Sequence, residues 1–187
     1  MAIRRWIEEI SVRQTKGIVT FLDFSKAFDS ILHSQLRNVL MAFRIPKKLI
    51  SAILSVYSGH QGKLLTGAGV AGPFPVQQGV LQGDSLSPFT FVMTLDLVLK
   101  LAIEDHEHLG FEISPRKSTR HPAKHLTNLC YADDCALFSS SFEDMQKLLC
   151  RVEEIANRVG LRLNQSKTSY MLFGQWNQPS CKKEAQN

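Results

Sequence analysis

Apolar positions recur along this chain at two different spacings. Ile3, Trp6, Ile7 and Ile10 fall on one helical face and predict a helix over 3–14. Ile18, Val19, Phe21, Leu22 and Phe24 then form an almost unbroken β-branched and aromatic run. That run predicts a buried strand over 18–24. Ile31, Leu32, Leu36, Val39, Leu40 and Phe43 predict a helix over 30–43. Pro46 suits the first turn of a further helix faced by Leu49, Ile50, Ile53, Leu54 and Tyr57. Between 59 and 85, Gly59, Gly62, Gly67, Gly69, Gly72, Gly79 and Gly83, with Pro73 and Pro75, break the chain into short strand-like pieces. Pro88 opens a long apolar helix to about residue 106.

The polar, basic stretch 114–125 reads as an exposed connection. A second strand pair is predicted around Cys130-Tyr131-Ala132-Asp133-Asp134-Cys135, with Leu129 before it and Ala136-Leu137-Phe138 after it. Ser141 is the N-cap of a helix carrying Phe142, Met145, Leu148, Leu149, Val152, Ile155, Ala156 and Val159, and Gly160 stops it. Short strands are expected over 161–164 and 169–173, around a Ser-Lys turn. From Gly174 the chain turns polar. The pattern predicts an α+β fold, an antiparallel or mixed sheet with helices packed on one face.

With 44% hydrophobic and 21% charged residues, collagen-like and wholly disordered classes are excluded. The densest apolar stretch, 89–103, is interrupted by Thr90, Thr94, Asp96 and Lys100, which argues against a membrane span. Arg4, Arg5, Glu8 and Glu9 argue against a secretory signal, so an intracellular location, nucleus or cytoplasm, is expected. A net charge of +5 is compatible with nucleic acid without requiring it. Cys130, Cys135, Cys150 and Cys181 contain no Cys-x-x-Cys spacing, and reduced, inert thiols are expected.

Three carboxylates stand in apolar strand sequence. Asp23 ends the first strand, and Asp133 and Asp134 lie between Leu129-Cys130-Tyr131-Ala132 and Cys135-Ala136-Leu137-Phe138. Adjacent ionised carboxylates repel and lose hydration, and a hard cation such as Mg²⁺ compensates both effects. An Asp-Asp pair is otherwise the tip of a solvated hairpin, and an Asp closing a strand is otherwise a turn residue.

Phe21-Leu22-Asp23-Phe24-Ser25-Lys26-Ala27-Phe28-Asp29 resembles the first palm motif of reverse transcriptases. Gly79-Val80-Leu81-Gln82-Gly83-Asp84-Ser85-Leu86-Ser87-Pro88 resembles the second and Tyr131-Ala132-Asp133-Asp134 the third. Gly160-Leu161-Arg162-Leu163-Asn164-Gln165-Ser166-Lys167-Thr168 resembles the fourth. The motifs stand in the family's order. The Ala-Phe-Asp ending and the second motif look most like non-LTR (LINE-type) retrotransposon enzymes, with group II intron enzymes next.

The resemblance implies a polymerase palm over 1–174 followed by a polar tail over 175–187. It implies an RNA-directed DNA polymerase in which a primer 3′-hydroxyl attacks the α-phosphate of a dNTP on an RNA or DNA template. Two Mg²⁺ ions, with Mn²⁺ as a substitute, would be held by Asp23, Asp133 and the Phe24 carbonyl, with Asp134 in support. Amides of Ser25, Lys26, Ala27 and Phe28 would cradle the triphosphate, and Phe28 would exclude a ribose 2′-OH. Gln82 and Gly83 would line the nucleotide pocket, and Lys167 would meet the leaving pyrophosphate. Each has a plainer reading: Phe28 as core, Gln82-Gly83 as a turn, Lys167 as a solvated charge. Arg116, Lys117, Arg120 and Lys124 are candidates for contacts with a nucleic-acid backbone, or a solvated loop.

The sequence departs from the family pattern at Leu81, where Arg is common, and Ser85, often Pro. Some 20 residues precede the first motif and little follows the fourth, so fingers and thumb are expected to be largely absent. A non-catalytic nucleic-acid-binding or scaffold role on the same fold is the alternative. A decayed fragment that only folds is a third reading; surfaces that normally meet fingers and thumb would then be exposed apolar patches, which self-association or a partner chain could cover.

Overall fold

The computed structural model describes residues 2–80 and 84–176. Four strands form an antiparallel sheet in the order β6-β7-β1-β8: β1 (Gly17–Leu22), β6 (Asn128–Tyr131), β7 (Asp134–Ser139) and β8 (Ser169–Phe173). The central strand β1 pairs Ile18 with Ser139 and Leu22 with Cys135 on one side. On the other it pairs Gly17 with Phe173 and Phe21 with Ser169. Its run of apolar residues follows from burial on both faces.

One face, through Ile18, Leu22, Cys135 and Leu137, packs on α3 (His33–Ala42), α5 (Ser87–Ile103) and α6 (Phe142–Val159). Helix α4 (Lys47–Tyr57) lies outside α3. The opposite face is partly covered as well. Val19, Ala136 and Phe138 pack under Trp6 and Ile10 of α1 (Ala2–Arg13) and Phe111 of a two-stranded ribbon, β4 (Phe111–Ser114) with β5 (Lys124–Leu126). Trp6 meets Phe111 and Phe138 edge-on at 5.7 and 4.9 Å. A second ribbon, β2 (Gln61–Thr66) with β3 (Gly69–Pro75), is exposed along nearly its whole length.

Three expected elements differ, each because a tertiary pairing overrides local propensity. The expected helix over 30–43 begins only at His33 as α3, and Ser30 ends a separate single turn, α2 (Ala27–Ser30). Between them Ile31 and Leu32 are extended, Leu32 bridging Gln78 and donating its N–H to the Val159 carbonyl at 2.9 Å. The first strand stops at Leu22, because its partner β7 turns into a hairpin there. The expected strand over 161–164 is reduced to one bridge, Leu163 with Phe24. Trp176 donates Nε1–H to the Phe173 carbonyl at 2.9 Å and packs edge-on against Phe142. No helix among the described residues is long and apolar enough to cross a membrane.

Candidate functional site

Asp23, Asp133 and Asp134 arrive at the same edge of the sheet from two distant parts of the sequence. Leu22 faces Cys135, so Asp23 is the next residue off one strand and Asp134 the residue before Cys135 on its neighbour. Tyr131 pairs with Asp134, which leaves Ala132 and Asp133 as a two-residue turn, and Ala132 has the positive φ (+55°) such tight hairpins need. Asp133 and Asp134 are exposed and Asp23 is half-buried. Among the described residues, no group of three His, Cys, Asp or Glu side chains is gathered closely enough to hold a metal.

The fourth motif holds the first in place. The Asn164 N–H donates to the Asp23 carbonyl at 2.8 Å, and the Ser25 N–H donates to the Arg162 carbonyl at 2.9 Å. These two bonds flank the Phe24–Leu163 bridge. In an antiparallel pair the intervening residue points its own backbone groups the other way. The Phe24 carbonyl is therefore turned from Leu163 toward the β7 side, where Asp134 lies. Two carboxylates and a carbonyl are hard oxygen donors, and Mg²⁺ commonly takes one or two carboxylates with phosphate and water completing its shell. The donor set fits that ion.

Beyond Phe24 the chain turns through Lys26, exposed and left-handed at φ +49°, into α2. The Ser25 amide is engaged by Arg162, so it is not available to the expected cradle; Ser25 instead lines a cleft of mixed character of about 640 Å³ that Asp29 also borders. Lys26, Gln78, Asn157 and Arg162 line the same cleft. Of these, Gln78, Asn157 and Arg162 were not singled out from sequence. Arg162 stands inside the fourth motif, and its alternation with Leu161 and Leu163 was the available signal. Phe28 is half-buried, its ring stacked on Phe91 at 4.5 Å and 22°. Its carbonyl accepts from the Val80 N–H at 2.7 Å, and the Ile31 carbonyl accepts from Gly79 at 2.8 Å. Gly79 has φ +90°, and a Cβ there would press on the Asp29 backbone at 3.0 Å. His33 Nε2 lies 2.6 Å from the Gly79 carbonyl. The start of the second motif is thus tied to the first, while Gln82 and Gly83 lie outside the described residues.

Lys167 is exposed on the turn before β8, its N–H donating to the Asn164 carbonyl at 3.2 Å, and it does not line the cleft. Arg116, Lys117 and Arg120 lie on the exposed β4–β5 connection and Lys124 starts β5. That ribbon packs on the α1 face through Ile113 and Leu126. An open, largely apolar cleft of about 710 Å³ borders Asp134, walled by Phe21, Leu129, Tyr131 and Ala136. Cys130, Cys135 and Cys150 are free thiols. The neighbouring Cys135 thiol, with the Asn128 side-chain amide, lowers the Cys130 thiol below its ordinary range. The Cys130 neighbour, with burial, raises Cys135.

A four-stranded antiparallel sheet backed by helices, with acidic residues at the ends of neighbouring strands, is the palm-like fold of a template-directed polymerase. The chain belongs to the reverse transcriptase (RNA-dependent DNA polymerase) family, which it matches over residues 3–185, and to its non-LTR retrotransposon branch. It is 34% identical over 148 residues to the retrovirus-related Pol polyprotein of the type-2 retrotransposable element R2DM of Drosophila melanogaster. That match covers 78% of this chain and 13% of the relative. It is 30% identical over 149 residues to the Pol polyprotein of the R2 element of Nasonia vitripennis, covering 79% of the chain and 14% of that relative. The chain therefore spans about an eighth of the length of these two relatives. Among solved structures it is similar to apo telomerase from Candida tropicalis, at TM-score 0.63 and 15% identity, over 95% of this chain and 35% of that one. It is also similar to telomerase from Candida albicans solved with a fragment of telomeric RNA, at TM-score 0.64 and 14% identity, over 97% and 30%.

Proposed function

We propose that this chain is the catalytic palm of an RNA-directed DNA polymerase that extends a primer on an RNA or DNA template with dNTPs, inside the cell. The observation that carries the reading is the Leu22–Cys135 register, which brings Asp23 and Asp134 side by side at one sheet edge. Asp23, Asp133 and the Phe24 carbonyl would hold two Mg²⁺ ions, with Asp134 in support. Bound there, the ions would activate the primer 3′-hydroxyl and neutralise charge on the leaving pyrophosphate. Lys26 and Arg162, against the one carboxylate of Asp29, leave a net positive charge on the cleft beside the first motif, suited to a triphosphate. Phe28, held by Phe91, would close the sugar side against a 2′-hydroxyl. Lys167 would approach the pyrophosphate as a charge partner or proton donor after movement of its turn. Arg116, Lys117, Arg120 and Lys124 would meet the nucleic-acid backbone. Residues 1–174 would be the palm and 175–187 a tail.

Primer extension on an RNA template tests this directly. The chain, or the longer protein that contains it, incorporates dNTPs with added Mg²⁺. Asp133→Asn lowers incorporation on the order of 10²–10³-fold, the scale expected when one directly acting electrostatic group is lost. Equal rates for the parent and Asp133→Asn would overturn the assignment.

A further inference from the structure

Cys130 and Cys135 face each other across the hairpin that carries Asp133 and Asp134. The kind of rung they occupy follows from one bond further along the same two strands. The Phe138 N–H donates to the Thr127 carbonyl at 2.8 Å, which makes Thr127–Phe138 a hydrogen-bonded rung. Hydrogen-bonded and non-hydrogen-bonded rungs alternate. Leu129–Ala136 and Tyr131–Asp134 are therefore hydrogen-bonded, and Cys130–Cys135 is not. At a non-hydrogen-bonded rung the two Cα atoms lie about 4.5 Å apart and the side chains leave the same face. A disulfide accepts Cα separations from about 4.4 Å upward. The register therefore sets the two Cα atoms within the range a disulfide accepts, with both side chains on one face. Cys130 is exposed and lines an open groove of about 280 Å³ with Val92, Met93, Asp96, Asn128 and Ala132, whereas Cys135 is buried.

We propose that Cys130 and Cys135 are a peroxide-responsive dithiol, which closes into a disulfide across the base of this hairpin. The site needs neither metal nor nucleotide, so it stands or falls separately from the polymerase reading. The oxidant is a hydroperoxide, for which hydrogen peroxide serves as the probe. The Cys130 sulfur attacks one peroxide oxygen, the O–O bond breaks, and a sulfenic acid and water are formed. The Cys135 sulfur then attacks the Cys130 sulfur, the S–O bond breaks, and the hydroxyl leaves as a second water with the Cys135 proton. Two thiols lose two electrons and two protons, and one peroxide is reduced to two waters. The exposed member makes first contact and the buried member resolves it. Closure ties β6 to β7 one residue behind the Tyr131–Asp134 rung and so fixes the twist of the turn holding Asp133.

Cleavage after Lys124 and Lys147 releases residues 125–147, a peptide with Cys130 and Cys135 and no other cysteine. The folded chain is treated with stoichiometric hydrogen peroxide, quenched with an alkylating agent and mapped by mass spectrometry. The peptide is expected to lose two hydrogens and to carry no alkyl group, with Cys150 remaining alkylated. Dithiothreitol should return two alkylatable thiols. Cys130→Ser, a change at an exposed position that circular dichroism checks for folding, should abolish the product. Three outcomes overturn the proposal: both thiols alkylated after peroxide, Cys130 advanced to a sulfinic acid with Cys135 alkylated, or Cys130 joined to a different cysteine.

Discussion

Phe28 has a packing contact and a proposed steric task, and substitution separates them. Its ring lies face-on to Phe91, yet it is only half-buried, and it sits in the single turn α2 that ends the first motif. Phe28→Ala removes the stack and part of the buried area, which costs about 2–3 kcal/mol, less than for a fully enclosed ring. A residue that only packs would lower the use of every nucleotide alike. A residue that closes the sugar side would do more. The ratio of kcat/KM for a dNTP over that for the matching ribonucleotide should fall at least about tenfold, on the scale of the 1–3 kcal/mol that pocket shape contributes to discrimination. Single-nucleotide incorporation with both substrates reads the ratio, and an unchanged ratio assigns Phe28 to the core alone.

Helix α6 shows how much of an element can be written into its two ends. The Ser141 Oγ accepts from the Asp144 N–H at 3.1 Å and donates to the Asp144 carboxylate at 2.7 Å. Gly160 closes the helix at φ +94°, where a Cβ would overlap the Ser30 carbonyl. Ser141→Ala should cost about 1 kcal/mol. Gly160→Ala should cost more, on the order of 2–3 kcal/mol, because it adds a clash with α2 to the strained φ. Urea unfolding should show both as a lower midpoint at an unchanged slope. These ends were legible in the sequence because capping is local chemistry: a hydroxyl three residues before its amide, and a glycine where the periodicity stops. The same holds for the strand through Val19 and for Asp23 at its end, since burial on both faces leaves a continuous apolar run. What the letters did not show depends on partners far along the chain. Leu32 leaves the helical state to pair with Gln78, and Leu163 is limited to one bridge because Phe24 offers one. Arg162 reaches the cleft because the fourth motif folds back on the first, and Asn157 because the end of α6 is tied to Leu32 through the Val159 carbonyl.

At the scale of the molecule, two kinds of surface compete, and salt acts on them with opposite sign. The β2–β3 ribbon carries Leu65 at 81% exposure and Val70 at 63%, with Leu64 and Phe74 near them. An apolar ribbon of this kind favours burial against another surface. The chain also carries a net charge of +5, with Arg116, Lys117, Arg120 and Lys124 close together on the exposed β4–β5 ribbon. Like-charged copies repel at low ionic strength, and the repulsion is screened beyond about 8 Å at physiological salt. Self-association through the apolar ribbon should therefore strengthen as salt is raised. Binding to RNA should weaken over the same range, because each phosphate contact releases a counterion that added salt opposes. Sedimentation velocity across a salt series, with and without a labelled RNA, measures both trends in one preparation. Leu65→Lys with Val70→Lys should remove the association and leave the RNA slope unaltered. Neutralising Arg116, Lys117, Arg120 and Lys124 should flatten the RNA slope by up to about 0.7 per lost contact to a single strand. Parallel salt trends for the two processes would mean that one surface serves both. The basic ribbon and the apolar ribbon could then not be separate interfaces, and the nucleic-acid role assigned to residues 116–124 would fail with that separation.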